Sequence, residues 1–144
     1  MIPKVLVISH NIFSKSGNMG KTMMEFLKCV PAENLAQIYF HSEIPTVDCC
    51  YRYFRIKDSD MLRSIFTRKA GYKTFTEKDI DKTVLKSRTD KGKVGKIYQM
   101  GRKRTPLIYF LRNTMWKMGV WDTEELDAWI REFDPDVLFL ACGD

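Results

Sequence analysis

Ser16-Gly17-Asn18-Met19-Gly20-Lys21-Thr22 is the stretch of this 144-residue chain whose residue types and spacing could do chemistry. Its two glycines let the backbone approach a ligand closely, and Lys21 is a cationic neighbour. Where such a loop enters a helix, unpaired N–H groups and the helix dipole favour an anion by roughly 0.3–1 kcal/mol if exposed. The tail Gly20-Lys21-Thr22 matches the end of a phosphate-binding P-loop. That motif also needs a glycine five positions before the Gly-Lys glycine, and Lys15 stands there. Gly17 comes two residues too late, and the dinucleotide pattern GxGxxG is missing. A P-loop-like nucleotide-binding enzyme is therefore the alternative reading, not the leading one.

Other reactive side chains are sparse. His10 and His41 stand far apart in sequence and match no zinc spacing. Cys29, Cys49, Cys50 and Cys142 form neither a disulfide framework nor a CxxC site, and read as buried or half-buried thiols. No metal site is expected. His10 lies nearest the expected cleft, in a structural or hydrogen-bonding role, and no residue is assigned to catalysis.

The elements that must position these residues are legible in outline. Val5-Leu6-Val7-Ile8 is apolar throughout, as a strand buried on both faces of a parallel sheet should be. Met23, Phe26, Leu27 and Val30 then recur at helical spacing up to Pro31. Strands are predicted over 36–41 and 50–56, followed by a helix capped by Asp58 or Ser59 with Met61, Leu62, Ile65 and Phe66 along it. Pro106 opens a basic, aromatic and apolar helical segment, and Asp122 with Glu125 predicts a capping box for the next helix. Leu126, Trp129, Ile130 and Phe133 form its core stripe, and Val137 to Cys142 reads as another buried strand. The fold class is α/β, a Rossmann-like three-layer domain with a mainly parallel sheet, over residues 1–144.

Charge is unevenly placed. Residues 67–105 hold thirteen Lys or Arg against four Asp or Glu, a net +9 in a chain whose total is +6. This basic segment is predicted to be a mobile insertion. With Arg102, Lys103, Arg104, Arg112, Trp116 and Lys117 it offers contact to an anionic membrane surface or an acceptor. The bland alternative is a basic, non-catalytic binding module. No nucleic-acid-binding signature accompanies the charge, so that partner is not expected. No run approaches the roughly 20 apolar residues of a membrane span, and no secretory signal opens the chain, so a cytoplasmic location is expected.

Lys4 to Ser9, the Ser16-Gly17-Asn18-Met19-Gly20 loop, and Trp129-Ile130-Arg131-Glu132-Phe133-Asp134-Pro135-Asp136-Val137-Leu138 together resemble the amino-terminal domain of GT-B glycosyltransferases of the family 4 type. The resemblance covers most of the chain outside residues 67–105. It implies one half of a GT-B fold, whose whole enzyme transfers a sugar from a nucleotide-sugar to a glycan or lipid-linked acceptor. This half would bind the acceptor, with Ser16, Gly17, Asn18, Met19, Gly20 and Lys21 facing the substrate phosphates. No cofactor is implied; the donor is a substrate held mainly by a second domain carrying an E-x7-E motif. The chain is accordingly expected to be the amino-terminal part of a longer protein and inactive alone. It would work in the cytoplasm, peripherally at the inner face of the plasma membrane.

Overall fold

Val5–Ser9 (β1) has no charged side chain and can be stable only with both faces covered. In the computed structural model, which describes residues 2–15, 18–76, 79–80 and 106–141, it has parallel partners on both sides. Leu35–Tyr39 (β2) lies on one side and Val137–Ala141 (β5) on the other. Arg52–Arg55 (β3) adds in parallel to β2, and Lys73–Thr76 (β4) adds antiparallel to β3. The order is β4-β3-β2-β1-β5.

Strand alternation sends Val5, Val7, Leu35, Tyr39 and Tyr53 to one face, against Met23 and Leu27 of helix α1 (Asn18–Leu27). Leu6, Ala36, Ile38 and Phe54 point to the other. There they meet Met61 of α2 (Asp58–Thr67) and Leu126, Trp129 and Phe133 of α4 (Glu124–Phe133). Helix α3 (Pro106–Met118) joins this side through Met115 and Trp116, both partly buried. The result is the expected three-layer α/β arrangement.

Several expectations are corrected. Helix α1 starts at Asn18, so Met19, Gly20 and Lys21 are helical and not part of the loop. Phe26 is exposed, because α1 turns only Met23 and Leu27 fully into the core. The α2 start is held by Asp60, whose carboxylate accepts the Lys57 N–H at 3.1 Å, and neither Asp58 nor Ser59 caps it. Leu62 and Phe66 are exposed as well. Thr123, not Asp122, caps α4, its Oγ1 accepting the Leu126 N–H at 3.3 Å. Strand β5 sits at an edge of the sheet with Leu138 and Leu140 exposed, although its composition suits a central strand. Within the basic insertion, Lys73–Thr76 is an edge strand; Arg102, Lys103 and Arg104 lie outside the described residues.

The cysteines divide by burial. Cys50 is buried and donates from Sγ to the carbonyls of Leu35 and Arg52, each at 3.3 Å. Burial pushes its thiol well above the usual range, and Cys49 is raised for the same reason. Cys29, expected to be at least half-buried, is exposed in the turn after α1. Iodoacetamide at neutral pH should therefore alkylate Cys29 about a hundredfold faster than Cys50, read by peptide mass spectrometry. Equal rates in the folded protein would contradict this packing.

Candidate functional site

Three neighbouring parallel strands end on the same edge, and the residue types just after them are polar or aromatic. His10 follows β1, Phe40 and His41 follow β2, and Asp58 comes three residues after β3. In an open α/β sheet ligands bind outside the carboxyl ends of the strands, near the point where the order reverses. Here that point is β1, which leads through α1 to β2 on one side and has β5 on the other. Helix α3 crosses above this edge and supplies Tyr109, Arg112, Asn113 and Trp116. With His10 and Phe40 they line a cleft of about 330 Å³, within the usual range for small-molecule sites.

The polar groups are fixed by one another. Asp58 accepts the Trp116 indole N–H at 2.9 Å and the Arg112 Nε–H at 3.3 Å. Arg112 Nη2 reaches His10 Nδ1 at 3.3 Å. A guanidinium has no acceptor, so Nδ1 is the acceptor in this contact. The rings of His10 and His41 meet edge to face at 5.7 Å, and those of Phe40 and Trp116 at 5.2 Å. Arg112 and Asp58 nearly cancel in charge. The cleft thus combines aromatic carbon with planar, multi-donor polar groups, which suits a hydroxyl-rich ring better than an isolated anion.

Beneath the cleft, the loop after β1 is held by a residue that the motif reading missed. Gln37, in the middle of β2, is fully buried. Its Oε1 accepts the Phe13 N–H at 3.2 Å, and its Nε2 donates to Ser9 Oγ at 2.8 Å and to the Asn11 carbonyl at 3.0 Å. The available signal was an amide inside the apolar run Ala36-Gln37-Ile38-Tyr39, since a buried polar side chain must find partners.

Of the residues expected to face a substrate, His10, Arg112 and Trp116 meet in the cleft. The side chains of Arg112 and Trp116 turn toward Asp58. Ser16 and Gly17 lie outside the described residues, as does the Asn18 side chain. Met19 packs partly into the core and Lys21 is exposed. Gly20 is buried against the preceding loop: a Cβ there would lie 2.4 Å from the Ile12 carbonyl oxygen and 2.8 Å from the Ser14 nitrogen. Its missing side chain makes room for protein backbone. Lys117 is exposed on α3, away from the cleft lining.

Among the described residues no group of three or more His, Cys, Asp or Glu could hold a metal ion. No helix among them is long and apolar enough to cross a membrane. No protein-family profile, no curated protein and no solved structure matches the chain.

Proposed function

We propose that this chain is the acceptor-binding half of a GT-B glycosyltransferase that transfers a sugar from a nucleotide-sugar to a glycan or lipid-linked acceptor. The reading is supported above all by the cleft at the carboxyl edge of β1 and β2, whose lining suits a sugar ring. Trp116, Phe40 and Tyr109 offer carbon surface to the ring's C–H face, while Arg112 and Asn113 address its hydroxyls. The donor, and the carboxylates that engage it, belong to a second α/β half. The chemistry needs no cofactor from this half; it binds and orients the acceptor hydroxyl, a contribution of proximity and alignment. The acceptor side would work in the cytoplasm, at the inner face of the membrane when the acceptor is lipid-linked. The packing of Gly20 against Ile12 and Ser14 speaks against the P-loop alternative, because that glycine's open face is already filled.

The test has two parts. Translating the coding sequence past Asp144 should give roughly 200 further residues with a second α/β pattern and an E-x7-E motif; a stop directly after Asp144 overturns the proposal. In the full-length protein, Arg112→Ala should raise the acceptor KM about 10- to 100-fold and leave the donor KM unchanged. An effect on the donor alone would move Arg112 to the other substrate.

A further inference from the structure

Strand β3 carries two buried arginines, and the described residues give a counter-charge to only one. Arg52 and Arg55 are each 8% exposed. Arg52 meets the two Glu132 carboxylate oxygens, Nη2 at 2.8 Å and Nη1 at 3.2 Å, so its charge is neutralised where it is buried. Arg55 ends the strand and donates from Nη1 to the carbonyls of Ser42 and Glu43, at 3.1 and 3.4 Å. Its Nε is buried and makes no hydrogen bond. Among the described residues no carboxylate lies within ion-pair distance of Arg55. The Glu43 carboxylate turns instead to His41 Nδ1 at 3.8 Å. Register adds a second cation. Lys73 of β4 stands directly opposite Arg55 in the antiparallel pair, so both side chains leave the same face of the sheet. They converge on one ring, with Arg55 Cζ 5.2 Å and Lys73 Nζ 5.0 Å from the Phe75 centroid. Like charges directly opposite each other destabilise a sheet, and a buried cation without an anion is costlier still.

We propose that Arg55 and Lys73 form a binding site for a phosphate monoester. The guanidinium supplies the geometry. Its Nη1 is committed to the loop after β2, which leaves the edge formed by Nε and Nη2 to donate. Two parallel N–H groups on that edge match two oxygens of one oxyanion. The Lys73 ammonium supplies the second positive charge. Two facing cations fit a dianion, and a phosphate monoester carries about −1.5 to −2 at neutral pH where a carboxylate carries one charge. The Phe75 ring beside both cations is buried, and charge pairing is stronger next to such carbon than in open water. Lys73 is exposed, so the site opens to solvent on its β4 side. Its place in the fold agrees, because ligands of open α/β sheets bind beyond the carboxyl ends of parallel strands, and Arg55 is such an end. The site shares no residue with the cleft lining. The inference goes beyond the transferase reading and does not rest on it, since anion binding is measured without any reaction.

The test is calorimetric titration of the purified chain with inorganic phosphate, with sodium chloride holding the ionic strength constant. Phosphate should bind and should raise the Tm as its concentration rises. Arg55→Lys keeps the charge and loses the fork, and should weaken phosphate binding at least about tenfold. Lys73→Met changes an exposed side chain, so this variant should melt at the wild-type temperature in chloride alone. It should bind phosphate about two- to fivefold more weakly. Neither heat nor a Tm change with phosphate overturns the proposal, as does undiminished binding by either variant. Malonate binding as tightly as phosphate also overturns it, in favour of a dicarboxylate.

Discussion

Replacing Gln37 by Leu should lower the stability of this fold by about 2–4 kcal/mol, although the side chains are similar in volume. Leucine would suit the surrounding β2 residues, which are all buried. The loss comes from the partners left behind. The Phe13 N–H would be buried without an acceptor, and the Asn11 carbonyl and Ser9 hydroxyl would lose a donor. The Phe13 N–H keeps its desolvation cost without that bond, while the Ser9 hydroxyl and the Asn11 carbonyl retain the 2.8 Å bond between them but lose the amide's. Apolar gain cannot offset this, because the amide's carbon stem is already out of water. Urea unfolding gives the difference directly, and hydrogen exchange should show residues 9–14 opening first in the variant. A change under about 1 kcal/mol would mean that the loop is held by its flanking contacts and not by the amide.

Gly20→Ala sets two effects against each other. Alanine is the better helix former by about 1 kcal/mol, which on its own would stabilise α1. The added Cβ would, however, sit 2.4 Å from the Ile12 carbonyl oxygen and 2.8 Å from the Ser14 nitrogen. Both are backbone atoms in a loop tied to Gln37, so neither can step aside as a flexible side chain would. The steric term wins: a net loss of about 2–3 kcal/mol is expected, seen as a melting temperature lower by roughly 5–10 °C. A variant as stable as the parent would show that this loop and α1 can separate cheaply. In the proposed enzyme the same substitution should also weaken acceptor binding, because it displaces the loop that begins with His10.

The architecture was legible because hydrophobic pattern dictates it. The unbroken apolar run of β1 demanded parallel neighbours, and the Leu126-Trp129-Ile130-Phe133 stripe demanded a sheet to lie on. The errors fall where tertiary contacts choose among equivalent local patterns. Phe26, Leu62 and Phe66 continue helical stripes yet point to water, since a stripe says which side is apolar but not how far the core extends. Strand β5 reads as central and lies at an edge, because composition carries no information on how many neighbours are present. The glycine stretch drew attention by its resemblance to an anion loop, while Gly20 serves packing. The cleft was half legible: His10 and Arg112 were singled out, but their meeting across 102 residues, with Asp58 between Arg112 and Trp116, depends on the crossing of α3.

The pairing of β1 with β5 also sets an order of events during synthesis. Lys4 N donates to Asp136 Oδ2 at 2.8 Å, Asp136 N returns a bond to the Lys4 carbonyl at 2.9 Å, and Lys4 Nζ reaches the Phe133 carbonyl at 3.0 Å. This clasp joins residues 132 positions apart. The first strand of this sheet to be synthesised is therefore among the last to be completed. At ordinary elongation rates β1 waits on the order of ten seconds for its second neighbour. During that interval it can pair with β2 on one side while its other edge, apolar on both faces, stays open to any extended chain nearby. A nascent chain of this kind is a natural client for chaperones that bind exposed strand edges, and its yield should depend on how fast residues 133–141 follow.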